Sequence, residues 1–328
     1  MDEKAAVELL RRMKRIRMAE EAIAERYSEW KMRCPTHLCI GQEVAGAAVG
    51  LALRGDDMVV STHRSHGHYL GKGGSLERMI AELYGKASGC SGGKGGSMHM
   101  IDLAAGFVGS TAIVGGTIPI GVGLGLSFAI KGTDQVSCIF FGDGAVEEGV
   151  FYESANFAAL RKLPVLFVCE NNLYSVYSNI RSRQPAGRAI HRMVGAMGME
   201  TRHGDGNDAV AVHEELQEVV AGIRAGNGPC FLELDTYRWR EHCGPNYDND
   251  LGYRSEAEFL AWKAKDPIPQ LCERLLAKGV LTAAAVAAME AAIAEEVEQA
   301  FAFAEAAPFP PPEAASAHLY KESPCREC

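Results

Sequence analysis

Positive charge is in deficit. The chain holds 33 Lys and Arg against 42 Asp and Glu, a formal net charge of −9, which argues against a nucleic-acid surface. No apolar run approaches the roughly 20 residues that cross a bilayer, so no membrane span is expected. Met-Asp-Glu-Lys at the start is acidic and no apolar core follows it; neither a signal peptide nor a transit peptide is expected there. No internal repeat is visible. A disulfide framework is missing too. Of ten Cys, Cys138, Cys169 and Cys230 fall inside apolar, strand-like runs, as reduced buried thiols of a cytoplasmic protein do. Cys325-Arg-Glu-Cys328 is a lone C-x-x-C, weak support for zinc, and is read as part of a flexible tail over residues 313–328.

What is present is ample core. Of 328 residues, 47% are hydrophobic, enough for one large α/β domain or two small ones. We read a single domain over residues 1–312. Its core covers 35–255, with helical extensions at 3–31 and 256–305. The basic residues Arg11, Arg12, Lys14, Arg15 and Arg17 of the first helix are read as a solvated face, because Glu20, Glu21 and Glu25 follow them.

Val136–Tyr174 organises the rest. An apolar run ends in Gly142-Asp143-Gly144, a helical pattern covers Val146–Leu160, and a second apolar run, Val165–Cys169, ends in Glu170-Asn171-Asn172. This predicts a β-α-β unit with Asp143 and Asn172 on one edge of a parallel sheet, where ligands of open α/β folds bind. Asp143 and Asn172 offer hard oxygens, and the glycines let backbone amides approach a phosphate. Oxygen ligands beside phosphate suit Mg²⁺. Gly-Asp-Gly followed by Asn-Asn at this distance (172 − 143 = 29) resembles the thiamine-diphosphate fingerprint.

Other segments converge on that edge. Asp57-Met-Val-Val is a short strand that delivers His63-Arg64-Ser-His66-Gly-His68. His63, His66 and His68 could ligate zinc, or the segment could form a phosphate and acid/base site. The second is preferred, because Arg64 can grip a phosphate bidentately and a His titrates near neutral pH. Gly85–Met100 is glycine-dense, but Gly95 after Lys94 breaks a phosphate-loop pattern. His99, in that loop, is left open between a channel-facing and a structural role. Pro119 followed by alternating small residues suggests a helix packed closely against another chain, and Ala112–Val114 before it can present backbone to a cofactor ring. Cys230–Asp235 is a strand leading into Thr236-Tyr-Arg238-Trp-Arg240-Glu-His242-Cys243.

These motifs, with Gly41-Gln-Glu43 and Asp205-Gly-Asn-Asp208, resemble in order and spacing the alpha subunit of the thiamine-diphosphate-dependent decarboxylating component of 2-oxo acid dehydrogenase complexes, of pyruvate, branched-chain or acetoin type. The resemblance spans residues 10 to 260. It implies a doubly wound, mostly parallel α/β sheet flanked by helices. It implies Mg²⁺ on Asp143, Asn172 and the Tyr174 carbonyl. The diphosphate would be held by Arg64, Gly142, Gly144 and Ala145, with His63 and Arg238 nearby. Ala112 and Val114 would meet the aminopyrimidine, and His66 and His242 would serve catalysis. The Glu that activates thiamine sits on a separate beta subunit in this family, so an α2β2 heterotetramer is expected, acting on a small 2-oxo acid and passing an acyl group to a lipoyl acyltransferase.

The chain also departs from the family pattern. His63 stands where well-known members carry Tyr, and Arg240-Glu241-His242-Cys243 where they carry His-Gly-His-Ser. Arg240 and Glu241 are expected to change the charge beside the substrate. A thiamine-dependent carbon–carbon ligase working with a beta subunit, and a non-catalytic regulatory subunit, are therefore carried as alternatives.

Overall fold

The apolar runs in the middle of the chain become an all-parallel, six-stranded sheet. The computed structural model describes residues 1–317. Its strands are β1 Met58–Ser61, β2 Phe107–Ser110, β3 Ser137–Gly142 and β4 Val165–Asn171, then a hairpin of β5 Tyr174–Ser175 and β6 Ser178–Asn179, then β7 Glu200–Asp205 and β8 Cys230–Asp235. The sheet order is β2-β1-β3-β4-β8-β7. Strands alternate faces, and both faces are covered. Cys138, Phe140, Leu166 and Val168 join one core with the N-terminal helix, while Ile139, Phe141, Phe167 and Cys169 join the other. That double burial explains why these strands read as continuous apolar runs.

The chain leaves β1 in one direction, to β2, and returns on its other side as β3. The sheet therefore has a switch point between β1 and β3, where the loops after the two strands part and leave a crevice. Gly142 pairs in register with Glu170, and Asn171 with Asp235, so Asp143 and Asn172 emerge side by side. Two helices bring Gly41–Glu43 against the loop after β1. A Cβ at Gly46 would lie 2.5 Å from the Gly67 carbonyl oxygen, and one at Gly50 1.8 Å from that of Gly71. Helices Glu43–Ala52 and His66–Lys72 thus touch backbone to backbone, which only glycine permits.

Several expectations need correction. The first helix spans Glu3–Arg26 and passes into a 3₁₀ turn, Tyr27–Glu29, that Trp30 ends in the left-handed region. Its basic face is only partly solvated, at Arg11 and Arg12, which pair with Glu8. Lys14 pairs with Glu290 and Arg15 with Glu296, each at 2.6 Å, and Arg17 pairs with Glu43 and Asp266. The acidic helix Ala283–Ala306 supplies partners that local sequence did not suggest. In helix Ile118–Lys131, Gly121 and Gly125 pack inside the chain, where added Cβ atoms would meet Ile139 and Val165; only Gly123 faces open space. Strand β2, unrecognised in the sequence, follows the glycine-dense loop. That loop wraps a buried carboxylate: Glu82 accepts from the backbone N–H groups of Ser91, Gly93, Gly95 and Gly96. Pro312–Ser316 form a 3₁₀ turn; Cys325 and Cys328, and the expected tail from residue 318 onward, lie outside the described residues. No described helix is long and apolar enough to cross a membrane.

Candidate active site

The crevice beyond β1, β3 and β4 is a cavity of about 250 Å³. It is lined by His63 and Arg64 after β1, by Gly142, Asp143, Gly144 and Ala145 after β3, and by Glu170, Asn172 and Tyr174 at the end of β4. Ala112, Val114 and His242 complete the predicted set on its wall. A larger cleft of about 710 Å³, between the glycine-dense loop and Phe309, contains none of the strand-end residues and so lacks this convergence of chemistry.

Two predicted residues are elsewhere. His66 is fully buried, with Nδ1 3.1 Å from Glu20 and Nε2 2.8 Å from Ser97. Glu20 also accepts from the Cys39 N–H at 2.8 and 2.9 Å. His66 opens the helix after β1, so its ring turns back into the N-terminal layer and not into the cavity. Arg238 lies behind the cavity wall. It donates to the carbonyls of Arg240 at 2.7 Å and Val176 at 2.8 Å and to the Tyr253 hydroxyl at 2.7 Å, with Asp248 3.6 Å away. A buried guanidinium needs these acceptors, and they hold it off the site. Arg240 likewise pairs with Glu21 and stacks over Tyr247, and Glu241 accepts from the Asn246 N–H. Neither lines the cavity; of that loop only His242 does. His99 sits at the rim, its Nε2 3.4 Å from the Ala112 nitrogen.

The remaining groups are unusually short of partners. Asp143 is 1% exposed; one oxygen is paired with Arg183 and Oδ1 has no partner among the described residues. Burial pushes its carboxyl up, against the pull of Arg183. Glu170 Oε1 and Gln42 Nε2 are also buried and unpartnered. Asn172 donates to Gln42 at 3.2 Å and accepts from the Tyr174 N–H at 3.1 Å. Leu173 and Val176 are held in the left-handed region, at φ 72° and 53°, a strain that persists only where the surroundings enforce it. A Cβ on Gly144 would lie 2.8 Å from Ser175 Oγ. Buried polar atoms are normally satisfied, so this group of lone donors and acceptors marks a place shaped for a ligand.

Opposite them, His37, His63 and His242 surround Arg64, with ring centroids 4.6 to 5.2 Å apart. Burial, helped by the Arg64 charge, pushes His37 down to about 2, His63 to about 4 and His242 to about 3. All three are neutral at pH 7. Burial, then the nearby Arg238, lowers Arg64 to about 10, which leaves it charged. It donates to the Leu38 carbonyl at 2.5 Å and the His242 carbonyl at 3.2 Å, a fixed cation aimed by backbone.

The family model of the dehydrogenase E1 component matches residues 11–313. The chain belongs to that family. A pyruvate dehydrogenase E1 component subunit alpha of Zymomonas mobilis is 38% identical over 311 residues, covering 94% of this chain and 86% of its own length. The protein so named in Rhizobium meliloti is 37% identical over 301 residues, covering 92% and 85%. The human somatic, mitochondrial form is 33% identical over 315 residues, covering 96% and 79%. The family is thiamine-diphosphate-dependent, and this chain is an alpha component of a 2-oxo acid dehydrogenase. The carbon–carbon ligase and non-catalytic readings are not favoured. His37, Gln42, Glu170 and Arg183 were not singled out as site residues from the sequence. Gly41-Gln-Glu and Glu170-Asn-Asn marked two of them by position, Gln42 and Glu170.

Proposed function

We propose that this chain acts on pyruvate, as the alpha half of an α2β2 enzyme that hands an acyl group to a lipoyl acyltransferase in the cytoplasm. The relatives named above support the substrate and the complex. The bacterial relatives and eight free cysteines among the described residues support the compartment. The observation that carries the site is the lone, buried Oδ1 of Asp143 next to Asn172. Hard oxygens with unfilled valence fit Mg²⁺, with the Tyr174 carbonyl as a third ligand. Arg183 now supplies the positive charge that the ion would supply. Arg64 and the backbone at Gly142, Gly144 and Ala145 would hold the diphosphate, and backbone at Ala112 and Val114 the aminopyrimidine.

When bound, thiamine diphosphate supplies the carbon nucleophile and electron sink for decarboxylation. The chain's own part is to place charge and protons. Arg64 is a fixed cation against the diphosphate. His242 Nδ1 faces Arg64 Nη2 at 3.4 Å and accepts from it, so Nε2–H is left to donate a hydrogen bond. His63 and His37, neutral as well, offer further imidazole donors and acceptors on the same wall. The cavity is smaller than the roughly 300–1,000 Å³ of complete ligand sites, which supports a second wall from a beta subunit. Ile113, 70% exposed at its lip, and Ile120 and Ile130 on the adjoining helix offer that subunit an apolar surface.

The chain, co-expressed with its beta subunit, is assayed with 2-oxo acids and an artificial electron acceptor. Turnover of pyruvate ahead of branched-chain acids is expected. Turnover only when an aldehyde acceptor is present rejects the dehydrogenase reading.

A further inference from the structure

A second group of imidazoles and carboxylates lies on the same sheet edge, outside the cavity. In β7 and β8 the register pairs His203 with Glu233 and Asp205 with Asp235. Because side chains alternate along a strand, these four share one face at the C-terminal ends. Helix Ile190–Gly195 packs against both strands and adds His191. Its Nδ1 is 2.8 Å from Glu233 Oε2, and its backbone N–H donates to the same oxygen at 2.9 Å. His203 Nε2 is 2.9 Å from Asp235 Oδ2. The two imidazole rings stack, with centroids 4.4 Å apart and 10° between planes. Glu233 is fixed from beneath by Asn171 Nδ2 at 2.8 Å.

We propose that His191, His203 and Glu233 bind a divalent transition-metal ion of the zinc class, with Asp235 as a further oxygen donor. Two imidazoles and a carboxylate are a common zinc donor set. One candidate ligand atom from each of the three residues already lies within 4.8 Å of the others. The charge balance favours a cation. Among the described residues, Glu233 and Asp235 pair only with histidines and not with Lys or Arg. The Glu233 side chain is 4% exposed, whereas those of His203 and Asp235 are 37% and 40% exposed, so an ion has both an anchored ligand and an open approach. Bound there, it would tie helix Ile190–Gly195 to β7 and β8 directly behind Asn171.

The chelator-treated full chain is titrated with Zn²⁺ against a chromogenic chelator, and with Co²⁺ followed by visible absorption. One equivalent per chain is expected. Affinity should fall at least about tenfold in His191→Ala and in His203→Ala and be unchanged in His37→Ala. Absence of a bound equivalent in the wild type, or its retention in the His191→Ala/His203→Ala double variant, overturns the proposal. Loss in His37→Ala also overturns it, by placing the ion among His37, His63 and His242. Where the alanine variants do not fold, the wild-type Co²⁺ spectrum decides. Ligand-field bands of a four- or five-coordinate site support the proposal; the spectrum of aqueous Co²⁺ alone contradicts it.

Discussion

His63 and His66 are near neighbours in sequence and end up in opposite situations. His63 faces the cavity among other imidazoles, with no carboxylate to pair with. His66 is enclosed between Glu20 and Ser97, both ring nitrogens matched. The contrast runs through the molecule. Under the sheet, Glu20 and Glu82 are fully buried carboxylates filled by backbone N–H groups. At the strand ends Asp143 and Glu170, and against them Gln42 at a helix start, are buried with atoms to spare. Polar burial alone does not distinguish scaffold from site; here the unpartnered atoms of Asp143, Glu170 and Gln42 also converge on one cavity.

The comparison can be broken at either end. Replacing His242 by Ala should lower kcat of the assembled enzyme by about 10² to 10³, the usual cost of losing one placed hydrogen-bond donor, with the melting temperature little changed. His66→Gln should do the reverse, and a His66→Gln enzyme as inactive as His242→Ala would dissolve the distinction. Glu82→Ala leaves four backbone N–H groups without their acceptor and should destabilise the fold by about 3 kcal/mol or more, read from urea unfolding. Glu20→Gln keeps shape and loses charge; about 1–2 kcal/mol is expected.

The same rings also set a pH dependence. The folded-state values of His37, His63 and His242 lie below the ordinary 6.5, so the unfolded chain takes up protons first as pH falls. Stability of the apoprotein is therefore full above pH 6.5 and declines as the pH drops from there toward 4. Urea midpoints at pH 7 and pH 5 check this. His63→Gln should flatten the slope, and an unchanged slope would mean that these rings are not held neutral.

Much of the site was legible because strand-end motifs report their own geometry. Gly142-Asp-Gly and Glu170-Asn-Asn each follow an apolar run, and parallel pairing leaves their tips adjacent. His66 misled because a His beside Arg64 reads the same whether its ring faces out or in; the deciding partner, Glu20, is 46 residues away. Arg238 and Arg240 misled likewise, since Asp248 and Glu21 capture them through tertiary contacts. The ion-pair seam of the first helix depends on Glu290 and Glu296 at the far end of the chain, beyond any local pattern. β2 is four residues long and half-buried, too short to announce itself by periodicity.

The central claim is that the unpartnered strand-end oxygens form the Mg²⁺–diphosphate half of a thiamine site. Calorimetric titration of thiamine diphosphate into the assembled α and β chains, with and without Mg²⁺, tests it most directly. The wild type should bind in a Mg²⁺-dependent manner, and Asp143→Ala should show no binding in either condition. Unchanged affinity in Asp143→Ala would contradict the account.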